Sequence, residues 1–337
     1  MLLTSVHDEI ELEEKRAQFG GCKLSRNKQI SAQAAEGILT GLSGSVVLLL
    51  HTYMRKNALR QPLCLTAKET NDIAAASKIS HREIMFMLLN AASLIAAERN
   101  ESSFGSAVVE GGSGALYAGI PVSWKSKDIK FVAHGPQSAV LNAWHQGETE
   151  IRNIVTETPL CVCCRQFLRE IWTWEKIEIL LAESGFETLK KGSITEGKFD
   201  LRGLKLAGIK ARLMNELRRN LTLGKPQDNE MTNIALNAAS DSYVPYSHNY
   251  AGVAIKTKNG HVHQGRCLEI HDSIAGLLAI ESGLINLILG GDTVSDVAEV
   301  HLVEKRSAVT QFSATQKLAM AMDVPFYYTI TSQSQDL

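Results

Sequence analysis

Apolar and polar positions alternate with two different periods along the chain. Ala32 to Asn57 carries Ala, Leu, Ile and Val at helical spacing, interrupted by Gly37, Gly41 and Gly44, and predicts a helical N-terminal region over residues 1–62. Thr66 to Ala75 and His81 to Ala97 repeat that spacing. Ser80 stands as an N-cap for the second of these helices, with Glu83 three residues on. From Phe104 the period shortens. GSAVVEGGSGALYAGIPVSW predicts two short strands joined at Gly111-Gly112-Ser113-Gly114. A helix from Gln137 to Gln146, a strand from Ile151 to Thr156, a helix from Cys161 to Trp174 and a strand from Ile177 to Leu181 come next. The Cys161 helix places Phe167, Leu168 and Ile171 on one face.

Residues 183–229 are polar and turn-rich, with a helix expected from Lys210 to Arg219. They predict a linker between a unit over 63–182 and another over 230–337. The second unit repeats the order of the first: a helix from Met231 to Ser240, a hairpin turning at Asn259-Gly260, a helix from Ser273 to Leu289 and a strand from Glu299 to Glu304. Alternating elements of this kind predict an α/β fold in layers, and the repeated order suggests an internal duplication.

Composition narrows the field of partners. Apolar residues make up 45% of the 337, enough for a sizeable core, and a net charge of −1 supplies no field for nucleic acid or an anionic membrane surface. The expected partners are small molecules or proteins. The first residues are acidic rather than basic-then-apolar, and the longest apolar run, Val46 to Leu50, is far short of a membrane span; the expectation is a cytoplasmic protein. Three of the six cysteines fall within Cys161-Val162-Cys163-Cys164, which favours metal binding or catalysis over a disulfide framework.

His134 opens one helix, and Cys161 and Cys164 open another. One imidazole and a Cys-x-x-Cys pair offer three donors for tetrahedral zinc and leave a fourth position open, as catalytic zinc requires. A helix N-terminus also favours the thiolate form. The surrounding residues, Pro159-Leu160-Cys161 leading into Arg165-Gln166-Phe167-Leu168 about 27 residues after His134, resemble the zinc deaminase signature H-x-E…P-C-x-x-C, with Leu160 inserted between Pro159 and Cys161.

From about Leu63 to about Met320 the sequence resembles the two-domain, bacterial-type cytidine deaminases. The similar stretches are SHREIMFMLLNAASLIAAERN, SGALYAG, HGPQSAVLNAWHQGE, CRQFLREI and NAASDSYVPYSHNYAGVAIKTKNGHVHQG. The resemblance implies a duplicated three-layer α/β/α deaminase fold, a homodimer, and one zinc per chain in the N-terminal copy, the C-terminal copy being degenerate. Its zinc ligands fall on His134, Cys161 and Cys164. In the family, water activated by the zinc attacks C4 of cytosine, and the glutamate of H-x-E moves the protons.

That glutamate falls on Pro136, which has no group to carry a proton. General acid–base assistance is typically worth about 10²–10⁴-fold. The family's sugar-binding Asn and Glu fall on Pro121 and Ser123. The resulting expectation is a cytidine deaminase-like pseudoenzyme that binds zinc and serves as a nucleoside-binding, regulatory or scaffold protein. The alternative is an active zinc hydrolase acting on cytidine, deoxycytidine or a modified nucleoside through a substitute proton shuttle. Cys163 is expected to point away from the metal. In the second half Ala279-Ile280-Glu281 is read at the H-x-E position and Glu269 at that of the ribose glutamate, both as vestigial carboxylates. His261 and His263 are expected at the surface, without a third ligand nearby.

Overall fold

Thr66 and Ser80 each cap a helix. Their hydroxyls accept from the N–H groups of Glu69 and Glu83, whose carboxylates reach back to the N–H of Thr66 and Ser80. These reciprocal bonds satisfy helix donors that have no partner within the helix. They start α1 (Ala67–Ser77) and α2 (His81–Glu98) in a computed structural model that describes residues 63–99, 105–125, 130–182, 190–192, 212–224, 229–271 and 276–332. The helix expected within Ala32 to Asn57 lies outside the described residues.

The first half is built on a sheet of β1 (Cys64–Leu65), β2 (Ala107–Gly111), β3 (Leu116–Gly119), β6 (Ile151–Thr156), β7 (Glu178–Leu181) and β8 (Lys190–Gly192), in the order β1-β3-β2-β6-β7-β8. β3, β2 and β6 are antiparallel neighbours, and β6 and β7 are parallel. Glu110 of β2 bonds His81 at the start of α2. Gly119 of β3, paired with Ala107, instead meets α3 (Gly135–His145). Residues 107 and 110 point to opposite faces, so α2 and α3 sandwich the sheet. A separate ribbon of β4 (Val122–Lys125) and β5 (Lys130–Ala133) leads directly into α3.

The second half repeats the plan. Its sheet, in the order β10-β9-β11-β12, holds β9 (Ala251–Thr257), β10 (Val262–Arg266), β11 (Val297–Glu304) and β12 (Phe326–Ile330). The pairings run antiparallel, antiparallel and parallel, as in β3-β2-β6-β7. Gly252 abuts α5 (Glu230–Ser240), whereas Val253 and Ile255 meet Gly283 of α6 (Ala279–Leu289). Helices therefore cover both faces here too. Two glycines fix the correspondence. A Cβ on Gly119 would lie 2.4 Å from the Gly135 oxygen and 2.1 Å from the Ala139 nitrogen; one on Gly265 would lie 2.1 Å from the Ala279 oxygen and 2.3 Å from the Gly283 nitrogen. Gly135 thus answers to Ala279, and His134 to Leu278.

Three expected helices change. The helix after Cys161 stops at Arg169, giving α4 (Val162–Arg169), because Ile171 bridges to Leu213 and the Glu170 carbonyl accepts from the Leu213 N–H. α6 begins at Ala279 rather than Ser273, because Leu277 pairs with Leu268 through two backbone hydrogen bonds. The described part of Lys210 to Arg219 is not helical; its backbone binds Trp172 and Ser240 instead. Residues 212–224 form a strap, with Leu213 and Met214 buried. Trp144 donates to Glu216 and Arg219 to Tyr250 along it. Among the described residues, no helix is long and apolar enough to cross a membrane.

Candidate metal centre

β5 delivers His134 to the N-cap of α3, where its backbone N–H donates to Gln137 Oε1 at 2.9 Å. β6 delivers Cys161 to the N-cap of α4, and its Sγ accepts from the Cys164 N–H at 3.4 Å. Two strand-to-helix junctions thereby bring together residues 27 and 30 apart: His134 Nδ1 lies 3.2 Å from Cys161 Sγ and 3.3 Å from Cys164 Sγ. Cys164 is buried, while His134 and Cys161 are half-buried, so the cluster keeps an open side. Arg165 braces the junction by donating to the Leu160 carbonyl at 2.8 Å. Cys163 lies outside the cluster.

The two thiols titrate as a pair. A hydrogen bond from Cys164 holds the Cys161 thiol down, to about 4, with His134 and the Cys164 N–H assisting against a partial desolvation cost. Cys164 is pushed far up, by its bond to the Cys161 thiolate and then by burial. A dication is the species that would stabilise both sulfurs as thiolates. The donor set of one imidazole and two thiolates suits zinc.

Pro136 is buried in the first turn of α3. An N–H is not needed there, so proline is accommodated. Pro121 and Ser123 come to the same corner through the ribbon. Val122 pairs with Ala133 and Ser123 with Val132, which sets Pro121 one step beyond, alongside His134. Pro136 and Pro121 thus flank His134 in sequence and across the ribbon.

The family model described as the cytidine and deoxycytidylate deaminase zinc-binding region matches residues 198–317. The chain is 29% identical over 268 residues to a cytidine deaminase of Photobacterium profundum, covering 78% of this chain and 88% of that one. It is 27% identical over 288 residues to one of Proteus mirabilis, covering 85% and 95%. These matches support a place in the cytidine deaminase family. A cytidine deaminase structure from Burkholderia pseudomallei matches 33% of this chain and 89% of its own at 19% identity, with a TM-score of 0.28.

The family model falls mainly on the half of this cytidine deaminase relative that lacks the His/Cys/Cys cluster. There Leu278 caps α6 in place of His134, and Gln311 precedes α7 (Phe312–Ala321) in place of Cys161. Gln311 Oε1 accepts the Ala279 N–H at 2.9 Å, closing the corresponding corner with an amide. This register corrects the sequence reading of Ala279-Ile280-Glu281. Ile280 answers to Pro136, and Glu281 answers to Gln137, capping its own helix through the Leu278 N–H. Glu269 holds a turn, accepting from the N–H groups of Tyr246 and Ser247. His261 and His263 also depart from expectation. His261 is exposed, but the His263 side chain is mostly buried, and both bond Asp292, a third donor from another element.

Proposed function

We propose that this chain is a member of the cytidine deaminase family that holds zinc but does not turn over cytidine, acting instead by binding a nucleoside, by regulating or by scaffolding. The observation that carries the proposal is Pro136 beside His134: the metal cluster is complete while the neighbouring proton carrier is absent. His134, Cys161 and Cys164 would hold the zinc. Zinc bound there would act as a Lewis acid and lower the pKa of a water in its open position.

The chain's own residues withhold the remaining chemistry. No group on Pro136 can accept a proton from that water or deliver one to a pyrimidine ring nitrogen, and proton transfer is worth about 10²–10⁴-fold. Pro121 and Ser123 lack the long amide and carboxylate that would grip a sugar. The homodimer belongs to the same proposal and is checked by light scattering.

The test is turnover of cytidine and deoxycytidine by the zinc-loaded chain. The expected rate lies at least about 10²-fold below ordinary values of about 1–10³ s⁻¹. Turnover within that ordinary range would overturn the proposal. Pro136→Glu should raise the residual rate, with a high KM that falls only when Pro121→Asn and Ser123→Glu are added.

A further inference from the structure

The second half contains a cluster that the deaminase site does not use. His261 and His263 stand two apart at the start of β10, on the same side as Gly265, the side that faces α6. Asp292 arrives from the far end of α6. That helix ends in a Schellman closure: the Asp292 N–H donates to the Leu287 carbonyl and the Gly291 N–H to the Ile288 carbonyl, with Gly291 at φ +92. The closure turns the Asp292 side chain back over β10. Gly290 leaves room for the imidazole, since a Cβ there would come 2.8 Å from His263 Cε1. Asn286 ties α6 to the Gln264 carbonyl at 2.7 Å. The three side chains are held by elements already locked together.

Their donor atoms converge. His263 Nε2 lies 2.6 Å from Asp292 Oδ2, and His261 Nδ1 lies 3.0 Å and 3.2 Å from the two carboxylate oxygens. Metal–ligand bonds of about 2.1 Å set adjacent donors at right angles about 3 Å apart. The Asp292 side chain is 9% exposed, and among the described residues its ion-pair partners are these two imidazoles, with no lysine or arginine. A dication bound there would compensate the carboxylate and draw on all three donors. His261 is 55% exposed, which provides an entry path and room for water to complete the coordination.

We propose that His261, His263 and Asp292 form a second metal site, a two-histidine, one-carboxylate site for a divalent first-row transition ion, which clips the β9–β10 hairpin to the end of α6. The donors are nitrogen and oxygen only, so the site differs in kind from the thiolate centre of the first half.

The difference supplies the test. Tag-free, metal-stripped full-length protein is titrated with cobalt(II) and followed by absorption and by counting bound metal. Cobalt at His134, Cys161 and Cys164 shows a thiolate charge-transfer band. Cobalt at the second site adds an equivalent without that band. His261→Ala removes an exposed ring that no core depends on; it and Asp292→Asn should each weaken the band-free equivalent at least about 100-fold, more than loss of an outer-shell partner. The thiolate band should be unchanged in both. No band-free equivalent in the wild type, or an equal one in His261→Ala, overturns the proposal. Absence of the thiolate band alone would count against the first centre and leave the second standing on its own signal.

Discussion

A proline in the first turn of α3 offers no group to carry a proton and leaves the helix intact, because the N–H it lacks would have had no partner. The converse case is Glu281, a carboxylate kept at the helix start where Leu278 stands in place of His134. Burial pushes its pKa up from 4.5 to about 7, although the Leu278 N–H partly supports the charge. Between those values the folded chain holds a proton that the unfolded chain has released. The stabilisation is therefore complete below pH 4.5 and is lost as pH rises towards 7. Allowing for its partial exposure, ionised Glu281 costs on the order of 2 kcal/mol above pH 7. Glu281→Gln retains the acceptor for Leu278. Its urea midpoint should exceed that of the wild type at pH 8 and coincide with it near pH 4.5; equal midpoints at both would show that the carboxylate is solvated.

At the scale of elements, helices α3 and α6 approach their sheets closely enough that Gly119 and Gly265 touch helix backbone. A methyl group at either place would lie within 2.4 Å of two backbone atoms, which no side-chain rotation relieves. Gly119→Ala and Gly265→Ala should each destabilise by about 3 kcal/mol or more, the upper range for overpacking. Gly119→Ala should in addition weaken zinc binding, since α3 carries His134; Gly265→Ala should leave zinc binding unchanged. Chemical denaturation and competitive metal titration of both variants check this pair. Equal effects on zinc would mean that the helix shift is not what positions the imidazole.

At the scale of the molecule, the two halves share buried polar ties. Glu170, at the end of α4, accepts from the Tyr243 hydroxyl at 2.9 Å, the Tyr246 hydroxyl at 2.7 Å and the His271 N–H at 2.8 Å. Burial and that carboxylate together push both phenols far up, so they remain donors. Arg266 of β10 lies over the Trp144 ring of α3, and His145 bonds Ser282 of α6. Removing the acceptor in Glu170→Ala strands three donors, at about 1–3 kcal/mol for each one fully buried. A loss of about 3 kcal/mol is expected, together with the splitting of a single calorimetric transition into two. One transition at reduced temperature would mean that apolar packing alone couples the halves.

The residues that start helices and turn hairpins were legible because their partners are local. Ser80 and Glu83 are three apart, and the hairpins over 107–119 and 251–266 turn on glycine. The metal cluster was legible for a related reason: His134 and the Cys-x-x-Cys pair each sit at a helix start, where sequence spacing sets side-chain direction. Where a helix stops could not be read, because Ile171 pairs with Leu213 and Leu277 with Leu268, and such pairings compete with helix only once the chain has folded. The register of the second half was likewise decided by how closely Gly265 and Ala279 pack. The amino-acid sequence by itself determined the layered α/β plan, the deaminase resemblance and the three donors with a proline beside them, since each depends on short-range spacing. The tertiary structure alone decided that Asp292 completes a cluster with His261 and His263 and that Gln311 closes the second corner, because those contacts join residues about 30 apart through elements whose ends no local pattern specifies.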